Sequence, residues 1–178
     1  IEKLYLTASG GPLLNVSTNK FNKLKISQII QHPNWNMGSK ISVDSSTMMN
    51  KVFEIIEAKK IFDLSYKKLS IFIHPKSYIH GIIKFNDGMI KLIAHETTMD
   101  IPILNTLNYN QKIKFKPKKI NLSKLNNLEL SKIDKNKFPL TKILSKLPNK
   151  ESLFETVIVT INDYLVSLFL NKKITYLE

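Results

Sequence analysis

Cysteine is absent from the 178-residue chain, which excludes disulfides, thiolate zinc sites and thiol catalysis and points to a cytoplasmic setting. Glycine occurs only 5 times. None of these glycines builds a GxGxxG fingerprint or a Walker lysine loop, and HExxH and GxSxG are missing too. The chain therefore carries no complete dinucleotide, nucleotide, zinc-protease or serine-hydrolase site of its own. Long apolar runs are also lacking. TVIVTI and YLVSLFL are too short and interrupted to span a bilayer, no signal peptide is visible, and no membrane partner is expected. Acidic residues are few, 14 against 27 Lys and Arg, for a net charge of +13. Lysines are spread along the chain without an Arg-rich, aromatic-interleaved stretch, so the field favours anions without singling out nucleic acid. A phosphorylated metabolite suits the charge equally, and heavy use of Lys, Asn and Ile is also what an AT-rich genome produces.

What is present describes a folded protein. Hydrophobic residues make up 43% and charged ones 23%, the balance of a globular domain with a real core. The length allows one domain, or one domain and a fragment of a second. The chain starts on Ile1 and stops after a strand-like KKITYLE, so it reads as an excerpt of something longer.

Residues 1–6 alternate as a strand and run into TASGGP, where two glycines and a proline force a loop that presents Ser9. LLNVSTNKFNKLKISQIIQ has helical spacing mainly in its second half and reads as a short surface helix. QHPNWNMGSK follows as a loop in which Pro33 and Gly38 bracket Trp35 and Met37. KISV is predicted as a short strand. Asp44, Ser45 and Ser46 then look like the cap of a helix whose stripe of Met48, Val52, Ile55, Ile56 and Ile61 carries it to about Phe62. LSIFIHP and SYIHGIIKF are strands, and the NDG turn at residues 86–88 leads into MIKLIAH, giving a predicted β-meander. TMDIPILNTLN reads as a helix with Pro102 near its first turn. After Tyr109 the composition shifts to Lys and Asn, a loop-rich connector with one edge strand, and a domain boundary is placed there. FPLTKILSKL and ESLFETVIVTINDYLVSLFLN read as two amphipathic helices. The expected fold is α/β of the α+β type: a mixed, largely antiparallel sheet covered by helices, followed by the start of a helical domain.

The chemistry is concentrated between His32 and Glu57. Asn50, Lys51 and Glu54 are spaced three and four apart, so an amide, a cation and a carboxylate leave one helix face together. Ser45, at the predicted helix start, would add free N–H groups and a positive dipole end suited to a phosphate, with Lys51 reaching back to the same anion. A serine cap with a surface Lys51–Glu54 pair accounts for the same residues. Ser9 sits on a loop whose glycines admit a ligand, or on a plain tight turn. Trp35, with His32 at its hinge, fits a lid over a small ligand or an anchor on the core. His74 and His80, six residues apart, would point to one side of a regular strand, in a structural or a functional role. Glu54 alone cannot hold a divalent metal, which wants further oxygen donors.

TASGGP, HPNWNMGSKISVDSSTMMNK, EIIEA and IHPKSYIH, in this order and spacing, closely resemble the 1-deoxy-D-xylulose 5-phosphate reductoisomerase family. The resemblance runs strongly from Leu4 to Ile103 and more weakly beyond. It implies a central catalytic domain over residues 1–110, a connector over 111–137 and the truncated beginning of a C-terminal helical domain over 138–178. It implies an NADPH-binding Rossmann domain upstream, with an acidic motif supplying further metal carboxylates, and a cytoplasmic homodimer, or a plastid one in a eukaryote. By resemblance Ser9, His32, Ser45, Asn50 and Lys51 hold the substrate, a small sugar phosphate, mainly through its phosphate, and Trp35 and Met37 lie on a lid. Glu54 would touch the substrate and bind Mg²⁺ or Mn²⁺; with Lys51 and His32 it would be catalytic. Gly38, Met37 and Met99 would approach the nicotinamide of NADPH. The implied reaction breaks and reforms a carbon–carbon bond of 1-deoxy-D-xylulose 5-phosphate by retroaldol and aldol steps, and reduces the aldehyde to 2-C-methyl-D-erythritol 4-phosphate. The isolated excerpt is expected to be inactive. The family pattern has Gly where Val52 stands, PDM where Thr97 to Met99 stand, and an LNAANE-like motif where this chain has IVTIND around Asn162. An inactive paralogue serving as a subunit and a basic nucleic-acid binder are the competing readings. The intact polar set argues against the first, and the lack of an Arg-rich patch against the second.

Overall fold

The structure is a computed structural model that describes residues 1–32, 37–107 and 119–178. A five-stranded sheet in the order β4-β3-β1-β2-β5 forms its centre: β1 is Lys3–Ala8, β2 Leu69–Ile73, β3 Ile79–Lys84, β4 Ile90–Ala94 and β5 Ser131–Lys132. Only β1 and β2 run parallel; the β1–β3, β3–β4 and β2–β5 pairs are antiparallel, so the sheet is mixed and largely antiparallel as expected. The β-meander is corrected. β1 lies between β2 and β3 and pairs with both, with its Leu4 and Ala8 buried in the core, so β2 and β3 are not neighbours. The NDG turn does form a hairpin, with Gly88 at φ 88° and the Phe85 N–H donating to the Met89 carbonyl at 2.9 Å.

Helices fill the crossover between β1 and β2: α1 (Ile26–Ile29), α2 (Ser39–Ser46) and α3 (Met49–Phe62). α3 is helical for the reason the sequence indicates. Of the expected stripe Val52, Ile55 and Ile56 are buried, joined by Met49, whereas Met48 is buried just ahead of the helix and Ile61 is 65% exposed; the helix stops where Asp63 turns left-handed and Leu64 N–H closes on the Lys59 carbonyl at 3.2 Å. Ile55 and Ala58 pack with Leu4, Ala8, Leu69, Ile71, Ile73 and Phe138 into the main core.

KISV is not a strand. It belongs to α2, where Val43 is buried against Val166 and Phe169; tertiary packing outweighs the strand preference of β-branched residues. Asp44, Ser45 and Ser46 accordingly end α2 and do not cap α3. The two helices are separated at Met48, whose backbone turns left-handed at φ 64°. The expected surface helix before residue 31 is a 3₁₀ turn (Thr18–Lys23) and the four-residue α1, with Ile29 fully buried.

Beyond β4, α4 is Asp100–Leu107 and holds Pro102 in its first turn. Residues 111–118 of the Lys- and Asn-rich connector lie outside the described residues; its remainder holds α5 (Leu122–Asn126) and the edge strand β5. FPLTKILSKL forms a 3₁₀ helix over Pro139–Ser145, and α6 runs Phe154–Leu170. KKITYLE is not a strand: Tyr176 folds back edge-on to Phe21 and Phe169, and its hydroxyl donates to the Ser46 carbonyl at 3.1 Å. Among the described residues no helix is long and apolar enough to cross a membrane.

Candidate functional site at the end of the central strand

β1 delivers Ser9 to the mouth of a cavity of about 600 Å³. Gly10 and Gly11 both take positive φ, 94° and 66°, which residues with a Cβ adopt at a cost. Gly11 has a second reason to be glycine: a Cβ there would stand 2.6 Å from the Ser45 carbonyl oxygen. The loop thus lies directly on the last turn of α2, bringing Ser9 and Ser45 to one wall. Ser9 Oγ is 3.2 Å from His32 Nε2 and accepts the Gly11 N–H at 3.3 Å. Burial lowers the pKa of His32 below the ordinary imidazole value, so its neutral form is favoured.

α3 supplies the opposite wall. Asn50 Nδ2 donates to Glu54 Oε1 at 2.9 Å and Lys51 Nζ to Glu54 Oε2 at 2.6 Å, so the predicted shared face exists and all three groups line the cavity. Ser45 sits at the C-terminal end of α2, where the dipole is negative, and the positive end facing the cavity belongs to α3, whose first turn carries Asn50 and Lys51.

Of the remaining sequence candidates, Met37 and Met99 line the cavity, whereas Gly38 starts α2 outside its wall and leaves open space where a Cβ would be. Trp35 lies outside the described residues. Val52, where the family pattern has glycine, points away from the cavity into a cluster with Met49, Ile56 and Leu147. Asn162 is tied to α2 through Asp44.

His74 and His80 do not share a strand. His74 follows β2, is fully buried and holds the Glu129 carbonyl through Nδ1 at 3.0 Å. His80 lies on β3, lines the cavity and stacks on His95, ring centroids 3.6 Å apart and 10° from parallel. His95 and Ser77 also line the cavity and were not singled out from sequence. The NDG turn fixes the register from Lys84–Ile90 to Gly81–Ile93, but an irregularity between Ile79 and Gly81 then shifts the pairing to Ile79 with Ala94, so the turn alone does not place His80 against His95.

Burial, and then the neighbouring His95, push the pKa of His80 down to about 4 from the ordinary 6.5. The unfolded chain then binds a proton that the folded one refuses between these values. Stability contributed by neutral His80 is complete above pH 6.5 and is lost as pH falls toward 4. The thermal midpoint should therefore fall between pH 7 and pH 5, and His80→Gln should flatten that dependence in a melting series.

Among the described residues no group of three His, Asp or Glu side chains could enclose a metal, and Glu54 is the one carboxylate on the cavity wall. Its two oxygens are already arranged by Asn50 and Lys51, which suits a single donor to a cation completed from elsewhere.

Two family models, both describing the C-terminal domain of 1-deoxy-D-xylulose 5-phosphate reductoisomerase, match residues 1–62 and 95–178. The reductoisomerase of Pelagibacter ubique is 58% identical over 98% of this chain, and that of Persephonella marina 39% identical over 99%. The chain belongs to the 1-deoxy-D-xylulose 5-phosphate reductoisomerase family. A crystal structure of the reductoisomerase with NADPH, fosmidomycin and magnesium superposes with a TM-score of 0.90 at 35% identity, covering 99% of this chain and 43% of that one. The reductoisomerase from Zymomonas mobilis in complex with NADPH gives 0.88 at 30%, covering 99% and 45%. The chain spans 45% of the Pelagibacter protein and 47% of the Persephonella one, so it corresponds to under half of a complete reductoisomerase.

Proposed function

We propose that the chain is the substrate-holding part of an NADPH-dependent enzyme that isomerises and reduces 1-deoxy-D-xylulose 5-phosphate to 2-C-methyl-D-erythritol 4-phosphate in non-mevalonate isoprenoid biosynthesis. The observation that carries the proposal is the convergence of Ser9, His32, Ser45, Asn50, Lys51 and Glu54 on one cavity in a chain of this family. Hydroxyls at Ser9 and Ser45, the Asn50 amide, the Lys51 cation and the positive end of α3 form a donor set matched to a phosphate dianion. His32, kept neutral by burial, can orient the Ser9 hydroxyl toward the same ligand and exchange a proton with a substrate oxygen. Glu54 would hold Mg²⁺ or Mn²⁺ together with carboxylates outside these 178 residues. A divalent cation bound there supplies Lewis-acid polarisation of the substrate's carbonyl and hydroxyl oxygens. Met37 and Met99 give an apolar flank for a nicotinamide ring, while the described residues contain no glycine-rich cradle for the rest of NADPH. Residues 1–110 act in this reading as the catalytic domain, 111–137 as a connector and 138–178 as the opening of a helical domain, in a cytoplasmic homodimer.

The test uses the full-length protein carrying this chain. The absorbance of the reduced nicotinamide should fall only when deoxyxylulose phosphate and Mg²⁺ or Mn²⁺ are both present. Oxidation without the sugar phosphate, or none with it, would refute the assignment. The retained Lys51–Glu54 pair argues against an inactive paralogue.

A further inference from the structure

The site is supported from behind by a polar cluster that the phosphate-binding reading does not use. Asp44 directly precedes Ser45, yet its side chain faces away from the cavity and is only 2% exposed. Its Oδ1 accepts a hydrogen bond from Asn162 Nδ2 of α6 at 2.8 Å, and its Oδ2 pairs with Lys40 Nζ at 2.7 Å. Lys40 also reaches Asp163 Oδ1 at 2.8 Å, so one ammonium bridges carboxylates on two helices.

A buried carboxylate is costly to leave half-satisfied: movement of α2 away from α6 would strip Asn162 from Asp44 Oδ1, leaving that carboxylate only Lys40 of its own helix, and would break the Lys40–Asp163 pair. Apolar contacts alone, such as Val43 against Val166 and Phe169, tolerate small sliding; a directional amide and a bridging ammonium do not. Tyr176 adds a third point by donating to the Ser46 carbonyl. Residues 44 and 46 are therefore held from α6 and the segment after it. Ser45, between them, turns toward the cavity and meets the glycine loop at Gly11 in front.

We infer that Asn162, with Lys40 and Asp163, is a positioning device that fixes α2 on α6 and so sets where Ser45 stands relative to Ser9 and Lys51. This deepens the phosphate-binding reading and rests on it. None of the three residues touches the ligand; they act through Asp44 and the α2 backbone.

Steady-state kinetics and phosphate titration on the full-length protein test this. Asn162→Ala should raise KM for the sugar phosphate roughly tenfold, the loss of one charge-assisted hydrogen bond, with kcat and KM for NADPH altered far less. Asp163→Asn, at the exposed end of the cluster, is the milder variant and should shift KM in the same direction by a few-fold if Asn162→Ala proves unstable. Inorganic phosphate, measured by calorimetry as a ligand of the enzyme, should weaken in parallel. Unchanged phosphate affinity and unchanged sugar-phosphate KM in either folded variant, with only the melting temperature lowered, would overturn the inference and reduce the cluster to a stabilising contact. Failure of the wild-type protein to turn over the sugar phosphate would instead refute the reaction assignment, and phosphate affinities in the two variants would still decide the positioning role.

Discussion

Glu54→Gln should lower turnover of the full-length enzyme by on the order of 10³-fold, since Lewis-acid stabilisation by a metal is worth several kcal/mol and about 1.4 kcal/mol corresponds to each factor of ten. The substitution keeps the side chain's size and its bond to Asn50, so packing of α3 is preserved. What changes is the charge offered to the cation and to Lys51. In the native arrangement Lys51 is 14% exposed and paired to Glu54 at 2.6 Å. The neutral amide frees that ammonium to rest on the substrate phosphate, so sugar-phosphate affinity should hold or improve while turnover falls. A metal titration should show the midpoint for Mg²⁺ moving to much higher concentration. Full turnover in Glu54→Gln, or an unmoved metal midpoint, would remove Glu54 from the metal site.

Local pattern made part of this fold readable and long-range pairing hid the rest. α3 follows from buried residues at helical spacing, α6 from a long apolar run of which Val166 and Phe169 are the buried apolar residues, and the β3–β4 hairpin from NDG. The strand order does not follow, because nothing in β2 or β3 shows that β1, some sixty residues earlier, will come between them. KISV misleads for a related reason: Ile41 and Val43 favour a strand, and the helix they form is decided by α6, more than a hundred residues away. The division between α2 and α3 carries no glycine or proline to mark it, since Met48 takes the left-handed turn itself.

The site itself was more legible than the elements that hold it. Asn50, Lys51 and Glu54 share a face under any helical register that includes them, so the error in the helix start left that triad intact. It did displace Ser45 from a helix N-terminus to a C-terminus, and with it the source of the anion-attracting dipole. Ser9 and His32 are 23 residues apart in a stretch of weak local pattern, and only family resemblance placed them in one site before the geometry did. His80 and His95 carry no motif, and the irregularity between Ile79 and Gly81 breaks the register that the turn would otherwise hand down to them.

Val52→Gly, which restores the residue the family pattern has at that position, should destabilise this protein by about 3 kcal/mol. Val52 is fully buried between Met49, Ile56 and Leu147, with Ile143, Leu144 and Ile158 around them. Removing its three side-chain carbons forfeits their transfer energy and leaves a cavity, about 2 kcal/mol together for a buried aliphatic truncation of this size. Glycine in a helix interior costs about a further 1 kcal/mol. Against a total stability of about 5–15 kcal/mol this is a large share, and the thermal midpoint should drop by roughly 6–12 °C. Val52→Ala separates the terms: it should lose most of the cavity contribution and retain the helix propensity, so the Ala and Gly variants should differ by about 1 kcal/mol in denaturant melts. Because Val52 faces the core while Asn50, Lys51 and Glu54 face the cavity, sugar-phosphate KM well below the midpoint should stay within about twofold. The chain can carry valine there because Leu147 and Ile158, from the segment after residue 137, close over it. A Val52→Gly protein as stable as the parent would mean that this packing of the later segment on α3 is not formed.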